Sequence, residues 1–181
     1  GALPLLREVN RRIKEVNPEA ILLDEVSGPA FFTVCDICHN FNFSYQFLSE
    51  EGKKNNFNAK IYKDYLTDLK YTYPDSVLHV FYMRNHDTAW FYGFYGYTPE
   101  FFCYEAIHCL IKGIPLVFSG QTGFPGPSKE AYELYKKLIT MRKNNRVLID
   151  GECSYCGVDT SSENLFSVLR ILDGTFVIGL V

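Results

Sequence analysis

A chain of 181 residues with 47% hydrophobic side chains is long enough to bury a full core, as one domain or as one domain with a piece of another. Its 18 basic and 21 acidic residues give a net charge of -3 with no basic stripe, which argues against nucleic acid as a partner. No run reaches the roughly 18 to 20 apolar residues of a membrane span, and Arg7, Arg11 and Arg12 lie inside an amphipathic pattern rather than ahead of an apolar one.

Pro4 at a first-turn position, then Leu5, Leu6, Val9, Ile13 and Val16 at helical spacing, predict an amphipathic helix to about Val16 that Asn17-Pro18 ends. The short run Ala20-Ile21-Leu22-Leu23 predicts a parallel strand buried on both faces, with Asp24-Glu25 at its C-terminal end. A further strand is expected around Ile37 to Phe43. From Phe57 to Tyr71 apolar residues recur at helical spacing, and Tyr73-Pro74-Asp75 stops that helix before the apolar run Val77 to Met83.

That run ends in Asn85-His86-Asp87, and an aromatic loop from Trp90 to Tyr97 follows. A carboxylate at the C-terminal end of an α/β strand sits where such folds keep their active sites. Tyr and Trp suit carbohydrate, because a flat face packs on sugar C–H bonds while the polar tip stays hydrated. Asn and Asp also favour turns for local reasons, so the tripeptide alone reads first as a strand-to-loop turn.

Thr98 as N-cap and Pro99 at the first helical position open a helix that ends at Lys112-Gly113. Ile114 to Phe118 predicts another strand, a breaker-rich loop covers Ser119 to Pro127, and a long helix runs from about Ser128 to Lys143. Beyond Asn145 the signals turn to strands: Val147 to Ile149, Leu165 to Leu172, and Thr175 to Val181, the last two joined by the hairpin pair Asp173-Gly174. The six cysteines include two C-x-x-C pairs, Cys35/Cys38 and Cys153/Cys156. They are too far apart for a zinc ribbon, so separate buried thiols are the expectation.

With these positions placed, the chain resembles the α-amylase superfamily of glycoside hydrolases (glycoside hydrolase family 13-like). Five passages carry the likeness in order: Ile21 to Val26, Phe41-Asn42-Phe43, Phe81 to Thr88, Gly113 to Gln121, and Leu138 to Lys143. The resemblance implies an α/β fold: a partial (β/α)8 TIM barrel, about strands five to eight with their helices, over residues 1–145. Residues 146–181 would then begin a C-terminal all-β domain, the first strands of an incomplete β-sandwich.

The resemblance also implies roles. Glu25 would be the general acid/base, and Asp87 the carboxylate that strengthens contacts to ring hydroxyls in the transition state. His86, Asn85, Trp90 and Gln121 would contact the sugar. The implied partner is an α-glucan or oligosaccharide, with no cofactor and no metal. The nucleophilic Asp of the family lies in a Gly-x-Arg-x-Asp context on the fourth strand, and that pattern occurs nowhere in the 181 residues. The loop after the last strand reads Gly120-Gln121-Thr122, where many members have Gly-Gln-Glu. Two readings therefore stand: a segment of a retaining glycosidase or transglycosidase whose nucleophile lies upstream, or a non-catalytic carbohydrate-binding or scaffold protein. An open half-barrel is further expected to self-associate. The composition leaves the compartment open.

Overall fold

The computed structural model describes residues 1–49, 52, 58–87, 98–118 and 128–181. Helix α1 spans Ala2–Val16, strand β1 Leu23–Asp24 and strand β2 Ile37–His39, with a 3-10 turn Pro29–Thr33 between the two strands. A helical turn α2, Phe41–Phe43, runs into a π turn, Ser44–Leu48. Helix α3 (Ala59–Thr72), β3 (Leu78–Phe81), α4 (Pro99–Leu110), β4 (Ile114–Pro115) and α5 (Lys129–Lys143) complete the alternation. The four strands form one parallel sheet in the order β1-β2-β3-β4. Sequential neighbours pair through helical crossovers, the arrangement that parallel pairing requires.

Side-chain caps start the helices. Asn58 Oδ1 accepts from Lys60 N–H at 2.7 Å, Thr98 Oγ1 from Phe101 N–H at 3.3 Å, and Ser128 Oγ from Ala131 N–H at 3.2 Å. Each satisfies a donor that a helix start leaves without an intrahelical partner. Phe43, Tyr62, Leu66, Phe81 and Tyr104 form the middle of the core, and Leu148 and Phe166 from the last part of the chain join the same cluster. None of the described helices is long and apolar enough to cross a membrane.

Strands β5 (Glu152–Ser154), β6 (Ser167–Leu172) and β7 (Thr175–Leu180) make a three-stranded antiparallel sheet in that order. Asp173 and Gly174 both have positive φ, 49° and 76°, the backbone of a two-residue hairpin turn. Phe176, Ile178 and Leu180 alternate onto one exposed face, while Val177 and Val181 pack on the core.

Four expectations are corrected. The stretch Ile37 to Phe43 is not one strand, because Asn40 caps the turn that follows: its Oδ1 accepts from Phe43 N–H and from the Tyr65 hydroxyl at 2.6 Å. Residues Val147 to Ile149 lie in a short helix α6, Arg146–Asp150, capped by Asn145 Oδ1 on Val147 N–H at 3.1 Å, and form no strand. The first strand is not buried on both faces: Ile21 and Leu23 are exposed, as residues at a sheet edge that pairs on one side only among the described residues. The cysteines also differ from separate buried thiols. Cys103 and Cys156 are exposed, and the Sγ atoms of Cys35 and Cys38 are 3.0 Å apart.

Candidate active site

Parallel strands deliver their C-terminal ends to one side of a sheet, and here that side gathers the polar residues. Glu25 follows β1 directly, His39 ends β2, and Asn85-His86-Asp87 lies four to six residues past Phe81 at the end of β3. The register Asp24↔Cys38, then His39↔Val80, brings these three strand ends level. One ligand atom from each of Glu25, His86 and Asp87 lies within 4.8 Å of the other two, and all three side chains are exposed.

His86 Nε2 is 3.5 Å from Asp87 Oδ1. Both groups are about half exposed, so the pair contributes little to stability. Both remain open to a ligand from the solvent side. Asn85 is placed differently. It is 3% exposed, and its Oδ1 accepts from Asp87 N–H at 3.0 Å, so its side chain closes the turn that presents Asp87. The tripeptide is therefore both a turn and a means of presenting Asp87. Two carboxylates and an imidazole would also suit a divalent cation, although exposed acidic groups often cluster without one.

The floor under these three groups includes a residue the sequence reading did not single out, His39, which is 5% exposed. Its ring stacks on Phe41 at 5.5 Å and meets Tyr82 edge-on at 5.4 Å. Burial holds its pKa below the ordinary histidine value, while Glu25 and Asp87 pull it up and His86 pushes it down. All three exposed groups thus lie within its electrostatic reach. The rule applied to Asp87, a polar residue at the C-terminal end of a parallel strand, would also have selected His39 had β2 been ended before Asn40. Trp90 and Gln121, the other two expected sugar contacts, lie outside the described residues.

Behind the site, Glu105 of α4 is almost fully buried. Burial pushes its pKa up to about 8, against hydrogen bonds from Tyr135 and the Met83 backbone and the charge of Arg84, all of which pull it down. Arg84 itself lies over the Phe101 ring at 5.3 Å. A cavity of about 350 Å³ opens at the other end of the sheet, among Tyr73, Val77, His79, Lys112 and Glu152, away from the three exposed groups.

The same fold occurs in solved structures of α-amylases and related enzymes. The chain matches a maltogenic α-amylase from Thermotoga neapolitana with a TM-score of 0.76 and 21% identity, over 99% of this chain and 45% of that one. It matches a cyclomaltodextrinase with a TM-score of 0.75 and 19% identity, over 98% and 34%. An α-amylase from Lactobacillus plantarum matches with a TM-score of 0.70 and 15% identity, over 97% and 48%. The chain spans a third to a half of the length of these solved chains. Neither a family model nor a curated protein matches the sequence. The chain has the fold of part of an α-amylase barrel domain, followed by a three-stranded antiparallel sheet.

Proposed function

We propose that this chain is the later part of the catalytic barrel of a retaining glycosidase or transglycosidase acting on α-glucans, divided near Asn145 from the start of a β-domain. The observation that carries the reading is the convergence of Glu25, His86 and Asp87 within 4.8 Å at one end of a parallel sheet. In this reading Glu25 gives its proton to the glycosidic oxygen as the bond breaks. A carboxylate from a strand outside these 181 residues attacks the anomeric carbon, and Glu25 then takes a proton from the water or sugar acceptor that completes the exchange. Asp87 holds ring hydroxyls more tightly as charge develops at the anomeric centre, and His86 contacts the same sugar. Asn85 acts through the turn that aims Asp87. Trp90 and Gln121 would extend the contacts along the glucan.

The test is Glu25→Gln in the longest native product that contains this chain, assayed on maltooligosaccharides. The expected result is a fall in kcat of about 10²- to 10⁴-fold, the usual contribution of a general acid/base, with a much smaller change in KM. An unchanged kcat would overturn the assignment. The second reading, a carbohydrate-binding protein without catalysis, draws on the lack of any Gly-x-Arg-x-Asp in the sequence. Oligosaccharide binding that Trp90→Ala abolishes, with no turnover in the native product, would favour it.

A further inference from the structure

Cys35 and Cys38 stand apart from the other four cysteines. Their Sγ atoms are 3.0 Å apart, inside ordinary sulfur–sulfur van der Waals contact. No other pair of cysteine sulfurs makes such a contact among the described residues. The backbone holds the pair in place. Asp36 N–H and Ile37 N–H both donate to the Leu22 carbonyl, at 3.0 and 3.2 Å, and Asp36 Oδ2 accepts from Leu22 N–H at 2.8 Å. Lys14 Nζ reaches the same oxygen at 3.0 Å. On the other side, the Phe31 carbonyl accepts from Val34 N–H, Cys35 N–H and the Cys35 thiol. Cys38 lies within β2, in register between Asp24 and His79.

We infer that Cys35 and Cys38 form a reversible dithiol–disulfide site, oxidised by exchange with a low-molecular-weight disulfide. The inference is independent of the glycosidase reading. Closing a ring costs less when the fold already holds the two ends together, so the fold itself should favour the cross-link. In the exchange, the Cys35 thiolate attacks the oxidant's S–S bond, forming a mixed disulfide and releasing one thiolate. Cys38 then gives up its proton to a released thiolate and attacks Cys35 Sγ, expelling the second thiol. One S–S bond and two S–H bonds are present before and after. Cys35 is the entry point, because Cys38 is completely buried and Cys35 is not. Burial raises both thiols, Cys38 further than Cys35, so each is protonated at neutral pH and the exchange is slow. An equilibrium readout is therefore the appropriate one.

The experiment equilibrates the folded full chain, and separately the chain unfolded in urea, in mixtures of reduced and oxidised glutathione. Acid quenching, alkylation under denaturing conditions and peptide mass mapping then follow the peptide that holds both cysteines. The expected result is an internal cross-link, two hydrogens lighter and unalkylated. Its equilibrium constant in the folded chain should exceed that of the unfolded chain by at least tenfold. A folded-state constant equal to or below the unfolded one would overturn the site. Cys38→Ser should trap glutathione on Cys35, whereas Cys35→Ser should leave Cys38 free of it; glutathione on Cys38 in the latter would overturn the order of attack.

Discussion

Arg170, on the central strand of the antiparallel sheet, donates through one terminal guanidinium nitrogen to the carbonyl of Leu110, the last residue of α4, at 2.9 Å. Its other terminal nitrogen donates to the Gly151 carbonyl at 2.8 Å. Arg142 of α5 reaches the same helix end, donating to Cys109 and Ile111 carbonyls at 2.9 and 3.0 Å and to Gly113 at 2.6 Å. Two cations thus meet the negative end of one helix and satisfy carbonyls that helix geometry leaves open.

Arg170 is fully buried, so its replacement sets two effects against each other. Removing the charge relieves desolvation, but two carbonyls lose their donors, at about 1–3 kcal/mol each when they stay buried. The helix end already compensates the charge, so the second effect wins. Arg170→Met should lower stability by about 2–4 kcal/mol, read as a fall in the urea midpoint. Arg170→Lys should fall between, because one ammonium lacks the fork that reaches both carbonyls. Equal midpoints for Met and wild type would refute this account.

Gly113 has φ +141°, and a Cβ there would come within 2.7 Å of the Phe81 ring and 2.9 Å of the His79 carbonyl. Both contacts belong to β3, the strand that leads into Asn85-His86-Asp87. Gly113→Ala should therefore destabilise the fold by roughly 2–4 kcal/mol through strain and forced displacement. Thermal unfolding checks the magnitude, and a change under about 0.5 kcal/mol would contradict the close approach.

Stability should peak a little above pH 6.5. Burial lowers His79 from 6.5 to about 4 and His108 to about 3, whereas it raises Glu105 from 4.5 to about 8. Between the unfolded values of 4.5 and 6.5, the unfolded chain binds protons on His79 and His108, and in part on His39, that the folded chain refuses, and lacks one that Glu105 keeps. The balance makes stability rise with pH in that window. Above 6.5 the histidine contribution fades over about one pH unit and Glu105 comes to dominate, so stability falls toward pH 8, at no more than about 1.4 kcal/mol per pH unit. Glu105→Gln keeps an acceptor and a donor but cannot ionise, and should abolish the falling limb. Urea unfolding across pH 5 to 9 decides it; a falling limb unchanged in the variant would show that Glu105 is not its source.

The parts of this structure that were legible in the sequence are those set by local chemistry. Thr98 with Pro99, and Asp173-Gly174, each state a cap or a turn through one or two side chains, and each forms as read. The errors arose where an asparagine competed with apolar neighbours of high strand propensity. Asn40 and Asn145 each cap a helical turn and override the β-branched or aromatic residues around them. At the site, strand-end placement pointed to Asp87 and the family resemblance to Glu25, but burial could not be read from spacing. Nothing in Asn85 announces that its side chain turns inward, and nothing in His39 announces that it lies under three exposed groups.

The open edge of the parallel sheet leads to a prediction about association. β1 pairs only with β2 among the described residues, and Ile21 and Leu23 beside that edge are 68% and 49% exposed. Helix α1 buries none of its residues fully, and Leu5 and Val16 stand in solvent. An edge with unpaired N–H and C=O groups beside exposed apolar side chains is a template for a second chain, and two four-stranded half-barrels together supply the eight strands that close a barrel. The 181-residue chain expressed alone should therefore elute in gel filtration at twice its 20.8 kDa or more. Ile21→Lys with Leu23→Lys places two like charges on that edge and should weaken association at least tenfold, about 1.4 kcal/mol. A monomer at micromolar concentration would refute the association, and unchanged association in the double variant would move the contact to the exposed Phe176, Ile178 and Leu180 face.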